Sequence, residues 1–274
     1  MDELKKVIQK ELDIANTRFG VAFKDLQTGE ILFINENENF HAASTMKTPV
    51  LVELFKQSAQ GNFSMDDSIV IKNSFKSIVD GSSYSLTEED DSEKELYTQV
   101  GAKKTIASLA YDMIIQSSNL ATNILIELVQ PANVMNTLHQ LGATHMKVLR
   151  GVEDNKAYQK GMNNTTTALD LLLIFEQIAN EQLVSAAACR AMINILLDQK
   201  FNEIIPAHLP GTVKVAHKTG SITGIQHDSG IVFLPDGKKY VLVLLSQFQP
   251  ADEKKVIQAM ANVSKHFYNH MLEK

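Results

Sequence analysis

Tyr240-Val241-Leu242-Val243-Leu244-Leu245 is dense in strand-forming residues, and Gly230-Ile231-Val232-Phe233-Leu234 shortly before it has the same character. Pro235-Asp236-Gly237-Lys238 between them carries turn residues. Val213-Lys214-Val215-Ala216-His217-Lys218 alternates and adds a third strand signal. At the other end of the chain, Phe19-Gly20-Val21-Ala22-Phe23 and Ile31-Leu32-Phe33-Ile34 read as two more strands, with a hairpin loop at Asp25-Leu26-Gln27-Thr28-Gly29-Glu30. Between these ends no segment reads convincingly as a strand. Helical spacing covers 105–129, broken at Gln116-Ser117-Ser118-Asn119, and recurs near 132–141, 165–180 and 185–198. An amphipathic helix at 3–15 opens the chain, and a helix from Ala251 to about Leu272 closes it. Residues 61–100 look irregular.

Strands at both ends around a helical middle predict a mixed α/β (α+β) fold. Its N- and C-terminal strands would join in one antiparallel sheet flanked by helices, with an all-helical subdomain inserted. The expected division is 1–45 with 208–274 as the sheet part and 46–207 as the helical part, with a site in the cleft between them.

The 274 residues are 44% hydrophobic and 21% charged, enough for a sizeable core. Net charge is −6 and the basic residues are scattered, so neither nucleic acid nor an anionic membrane is indicated as a partner. No apolar run approaches a membrane span. Cys189, the single cysteine, reads as a small buried side chain in a helix rather than a reactive thiol. The first residues open an amphipathic helix without a signal core. The protein is therefore expected to be cytoplasmic, or else periplasmic or secreted with a leader removed ahead of Met1. A monomer is expected.

Four stretches carry chemistry. In His41-Ala42-Ala43-Ser44-Thr45-Met46-Lys47-Thr48-Pro49, a hydroxyl stands near the start of a helix with an amine one turn on. An amine whose pKa is lowered by burial can activate such a hydroxyl. Pro49 requires that the helix start close to Ser44 or be distorted in its first turn. Ser117-Ser118-Asn119 lies in the break between two helical halves. Lys218-Thr219-Gly220-Ser221 ends a strand, where Gly220 permits close backbone approach. Arg150-Gly151-Val152-Glu153-Asp154 lies in a loop, and the plain alternative for Glu153 is an ion pair there with Arg150 or a lysine.

Ser-x-x-Lys, Ser-x-Asn and Lys-Thr-Gly in this order form the motif set of class A β-lactamases and penicillin-binding proteins. The chain resembles the serine β-lactamases over nearly its whole length, class A most closely. The spacing of 34 residues from Asn119 to Glu153 also agrees with that family. The resemblance implies that Ser44 is the nucleophile acylated by a β-lactam, and that Lys47 removes or relays its proton. Ser117, assisted by Lys218, would pass a proton to the leaving nitrogen. Asn119 would bind the substrate's side-chain amide, and Thr219 and Ser221 would face its carboxylate. Backbone N–H groups of Ser44 and Ser221 would form the oxyanion hole beside Gly220. Glu153 would orient the water that releases the acyl group. The implied partner is a small β-lactam, and no cofactor or metal is called for.

Three departures stand out. Ser118 occupies the place of the family's usual aspartate. Ala157 replaces an asparagine that helps hold the water, with Asn155, Asn163 and Asn164 as candidate substitutes. No arginine follows Lys218-Thr219-Gly220 to bind a carboxylate; His227, if charged, is a candidate, and His217 has the same ambiguity. The acidic run Glu88-Glu89-Asp90-Asp91-Ser92-Glu93 reads as a solvated face, with a cleft rim as the alternative. Besides a lactamase, the sequence allows an esterase or DD-peptidase on the same scaffold, or a penicillin-binding sensor that stays acylated.

Overall fold

The computed structural model describes residues 1–15 and 17–273. Helix α1 (Asp2–Ala15) leads into strands β1 (Arg18–Asp25) and β2 (Ile31–Ile34), and β3 (Phe40–His41) delivers the chain to a 3-10 turn, Ala43–Met46. That turn runs directly into α2 (Lys47–Ala59). Short elements follow: β4 (Ser68–Val70), β5 (Phe75–Lys76), β6 (Ser83–Tyr84), the one-turn α3 (Glu95–Thr98) and β7 (Lys103–Thr105). Then come α4 (Ile106–Ile115), α5 (Asn119–Val129), α6 (Pro131–Gln140), α7 (Asn155–Gln159), β8 (Thr165–Thr166), α8 (Ala168–Ala179) and α9 (Ala186–Leu197). The chain closes with β9 (Lys214–Ile222), β10 (Ile225–Phe233), β11 (Lys239–Gln247) and α10 (Glu253–Leu272).

The expected sheet is present. Its five strands are ordered β2-β1-β11-β10-β9, every neighbouring pair antiparallel, so the first strand lies beside the last. The central run Tyr240-Val241-Leu242-Val243-Leu244-Leu245 is apolar at every position because both faces of the sheet are covered. Leu242 and Leu244 pack with Val21, Phe23, Ile8 of α1 and Phe267 of α10, where Phe23 and Phe267 stack at 4.5 Å. Val241, Val243 and Leu245 face the other way, into a core shared with Met46, Val50, Leu120 and Phe175 from the helices. Each fully buried Leu or Val contributes about 1.5–3 kcal/mol of transfer free energy, so this two-faced burial fixes the strand register.

The helical middle is not free of strands. β3 pairs with β8, β4 with β7 and β5 with β6, in ladders only two or three residues long. Such pieces are too short for a period-two pattern to stand out, which is why the sequence reads there as helical or irregular. The helix expected from 165 begins at Ala168, because the Thr167 hydroxyl accepts from Asp170 N at 3.1 Å and Thr165–Thr166 is drawn into β8. Cys189 is buried in α9, as read, with its thiol donating to Leu183 O at 3.0 Å. No helix among the described residues is long and apolar enough to cross a membrane.

Candidate active site

Ser44 stands in the 3-10 turn that opens α2. The turn begins with Ala43 at φ 44°, a left-handed conformation uncommon for a residue with a side chain. Its neighbours hold it there. Ala43 N donates to His41 Nδ1 at 3.0 Å, the Thr45 hydroxyl donates to Ala42 O at 2.6 Å, and Ala42 N donates to Asn164 O at 2.9 Å. Pro49 falls in the first turn of α2, where backbone N–H groups have no intrahelical acceptor to lose. β9 passes hard against this turn: a Cβ added at Gly220 would lie 3.2 Å from Ser44 N and 3.1 Å from Thr45 Cγ2. Any larger residue there would press the turn back by a few tenths of an ångström.

Ser117 occupies the break between α4 and α5 at φ 57°, a second strained position. Its hydroxyl oxygen accepts from Lys218 Nζ at 3.0 Å and from Lys47 Nζ at 3.2 Å. Both lysines are fully buried. Lys47 also donates to Ser117 O at 2.7 Å and to Asn119 Oδ1 at 2.9 Å, while Lys218 donates to Thr219 O at 2.8 Å. Burial pulls the Lys47 amine down to about 7, against the opposing pull of the Asp91 and Glu153 carboxylates. Lys218 is held well below the usual lysine value by burial and then by the charge of Lys47, with Asp228 opposing. Two buried amines thus share one hydroxyl, and near neutral pH Lys47 can give up its proton.

The other side of Asn119 reaches the loop. Asn119 Nδ2 donates to Glu153 Oε1 at 2.7 Å, so one amide bridges Lys47 and Glu153. Glu153 sits at φ 61°, clamped on both flanks. Before it, Val152 N donates to Asn123 Oδ1 at 2.6 Å and Asn123 Nδ2 donates to Val152 O at 3.0 Å. After it, buried Asp154 accepts from the Ser77 hydroxyl and Ile78 N, both at 2.9 Å. Burial raises the Glu153 pKa; the Asn119 hydrogen bond and Lys47 oppose this, while Asp91 and Asp90 add to it.

Ser44, Asn119, Glu153 and Ser221 line one cavity of about 550 Å³, with Asp90, His41 and Tyr158 also on its wall. Lys47 and Lys218 lie buried, bonded to the Ser117 and Asn119 side chains. The three motifs and the loop glutamate therefore gather in one place: Ser44, Lys47, Ser117, Asn119, Glu153, Lys218, Thr219, Gly220 and Ser221.

Other expectations are corrected. His227 cannot serve as a charged anchor: it is fully buried, its ring bonds His41 O at 2.9 Å and Gln226 O at 2.8 Å, and burial lowers its pKa to about 4. The residue paired with Ser221 across the ladder is Gln226, whose Nε2 donates to the Ser221 hydroxyl at 2.9 Å and to Glu253 at 2.8 Å. His217 is likewise buried, bonded to Asp228 at 2.8 Å and Asn202 at 3.2 Å. Arg150 does not pair with Glu153; its guanidinium donates to Met162 O, Gly151 O and Asn163 Oδ1. Asn163 Oδ1 takes one of those bonds and the Asn164 side chain is spent on the backbone of Leu149 and Arg150, while Asn155 and Asn164 both line the cavity. The acidic run is not one solvated face. Glu88 and Glu89 are exposed and Asp90 lines the cavity, whereas Asp91 is 3% exposed.

The sequence alone assigns no role of their own to Asn123, His41 and Asp91. Asn123 carried a usable signal, because it lies four residues after Asn119 and so on the same helical face. His41 and Asp91 carried none of comparable strength.

Comparison with known proteins points one way. β-Lactamase VEB-1 of Pseudomonas aeruginosa is 24% identical over 283 residues, covering 97% of this chain and 91% of that protein. The solved structure of PBP-A matches with a TM-score of 0.84 at 22% identity, covering 99% of this chain and 97% of the other. An ancestral class A β-lactamase matches with the same TM-score and identity, covering 97% and 99%. The model of the β-lactamase enzyme family matches residues 2–271, nearly end to end. The chain belongs to the β-lactamase enzyme family.

Proposed function

We propose that the protein is a class A-like serine β-lactamase, hydrolysing the lactam amide through an acyl-enzyme on Ser44. The observation that carries this reading is the continuous chain Lys218–Ser117–Lys47–Asn119–Glu153, which joins two buried amines to a cavity-facing carboxylate. In this reading the cleft lies between the sheet part, residues 1–45 and 208–274, and the helical part, residues 46–207. Lys47, with a pKa of about 7, takes or relays the Ser44 proton as the hydroxyl attacks the lactam carbonyl. The oxyanion is held by the N–H groups of Ser44 and Ser221, a placement supported by the tight approach of β9 at Gly220 and by the positive end of α2. Ser117 hands a proton to the leaving nitrogen, resupplied from Lys218 or Lys47. Asn119 binds the substrate's side-chain amide, and its contact with Glu153 keeps that carboxylate facing the acyl group. Glu153, raised by burial and so more basic than a free glutamate, draws a proton from the water that attacks the ester.

With Gln226 beside Ser221, the substrate carboxylate is met by the Thr219 and Ser221 hydroxyls rather than by a guanidinium.

A chromogenic cephalosporin followed with intact-mass spectrometry tests the reading. Sustained turnover with a transient adduct is expected, and Ser44→Ala should abolish both. A single stoichiometric burst points to a penicillin-binding sensor, no reaction beside good ester hydrolysis points to an esterase, and persistent labelling of Ser44→Ala removes the nucleophile from that position.

A further inference from the structure

Asp91 is a buried carboxylate inside a surface acidic run, and it points at the start of α5. Its Oδ2 accepts from Asn119 N and Leu120 N, both at 2.9 Å, and from the Tyr97 hydroxyl at 3.0 Å. Its Oδ1 accepts from Glu93 N at 3.0 Å. Among the described residues no lysine, arginine or histidine forms an ion pair with it. A charge taken out of water without a counter-ion persists only where donors surround it. Here two of those four donors are the first N–H groups of an 11-residue helix, which also presents its positive dipole end.

The capping of α5 is divided between two residues. Asp91 takes the N–H groups of Asn119 and Leu120. Ser118 Oγ takes Ala121 N at 3.2 Å, and Ser118 O takes Thr122 N at 3.2 Å. No N–H of that turn is left unpaired. Asn119, whose backbone Asp91 grips, is the residue whose side chain bridges Lys47 and Glu153. Holding the one therefore aims the other.

We propose that Asp91 is a positioning residue of the acyl-transfer site, which fixes Asn119 through the N-terminus of α5 and sets a carboxylate beside Lys47 and Glu153. This inference rests on the serine β-lactamase reading above. The charge acts on both ends of the bridge. Lys47 faces Asp91, Glu153 and Lys218; Glu153 faces Asp91, Asp90 and Lys47. Asp91 raises the pKa of Lys47 and of Glu153 alike, and that of Tyr97, whose hydroxyl donates to it. Removing the charge lowers Lys47 further and lets Glu153 ionise at lower pH.

The test begins with penicillin turnover by the unaltered protein, which decides the reading on which the inference rests. Wild type, Asp91→Asn and Asp91→Glu are then compared by kcat against pH, by thermal unfolding, and by NMR titration of nitrogen-15-labelled lysine side chains. Asp91→Asn is expected to lower kcat about ten- to a hundredfold by misaiming Asn119. It should also move the acidic limb of the profile, and the Lys47 titration, to lower pH. Asp91→Glu keeps the charge but lengthens the arm, so kcat falls while the limb stays near its wild-type position. A merely structural role would lower the unfolding temperature and leave limb and titration in place. That result, or wild-type kcat in Asp91→Asn, overturns the proposal. If Asp91→Asn does not fold, Asp91→Glu decides: reduced kcat with an unmoved limb supports the role, and wild-type kcat overturns it. If the unaltered protein does not turn penicillin over, the lactamase reading fails on its own, and the Lys47 titration in Asp91→Asn still decides whether Asp91 sets its charge.

Discussion

The two halves of the site are built differently. Ser44, Lys47, Ser117 and Lys218 stand on the start of α2, the α4–α5 break and β9, elements pinned by the main core. Glu153 stands in irregular chain at φ 61°, held by side chains borrowed from elsewhere: Asn123 from α5 before it, and Ser77 through Asp154 after it. In the proposed mechanism the first half needs a buried amine of low pKa, and packing supplies that burial directly. The second needs room for a water beside a carboxylate, which a packed core would exclude. A loop clamped by hydrogen bonds leaves that room, at the cost of depending on a few contacts. Acylation should therefore resist loop changes, and deacylation should not.

Glu153→Gln is the strongest way to break this comparison. The amide keeps the size and can still meet Asn119, but it cannot take a proton from water. Deacylation should fall roughly a hundred- to ten-thousandfold, the usual worth of a general base, while acylation stays close to wild type. Stopped-flow kinetics with mass spectrometry would show the adduct forming and persisting. Equal losses in both steps would join the two halves into one.

The pH dependence sharpens the comparison at the lysine end. Lys47 serves as a base only without its proton, and its folded pKa is about 7, lowered by burial from the ordinary lysine value. The competent fraction therefore falls about tenfold for each pH unit below that point. Single-turnover acylation, measured in Glu153→Gln so that deacylation does not interfere, should show an acidic limb with its midpoint below that point, because the lost Glu153 charge no longer holds Lys47 up. If the limb is present in wild type and vanishes in Glu153→Gln, the acylation base is the glutamate.

The same contrast governs what the sequence made legible. The sheet could be read because its strands are long and apolar, and Ser44, Lys47, Ser117 and Lys218 because they fall in short motifs on regular elements. Glu153 could be placed only by its spacing from Asn119. Asp91 could not be read at all: nothing in Glu88-Glu89-Asp90-Asp91 marks the fourth carboxylate as the one turned inward against a helix end. His227 misled for the converse reason. Near the start of β10 it sits where a substrate anchor is expected, yet strand alternation turns it inward to His41 and gives the place beside Ser221 to Gln226.

Asn123→Ala has the smallest expected effect and probes the clamp itself. Asn123 is 1% exposed and makes two hydrogen bonds to the backbone of Val152, one accepted at 2.6 Å and one donated at 3.0 Å. Alanine leaves Val152 N without its partner, whereas Val152 O keeps the Tyr84 hydroxyl at 3.3 Å. One stranded N–H costs about 1–3 kcal/mol, and urea unfolding should show a loss of that size. The loop remains tied at Asp154, so Glu153 should shift rather than leave, and deacylation should slow about tenfold. The Lys47–Ser117–Lys218 cluster uses none of these bonds, so the acylation rate should stay within about twofold of wild type. A matching fall in acylation would mean that strain at Glu153 passes through Asn119 into the lysines. The bridge would then be a rigid strut, and the two halves would not be separable.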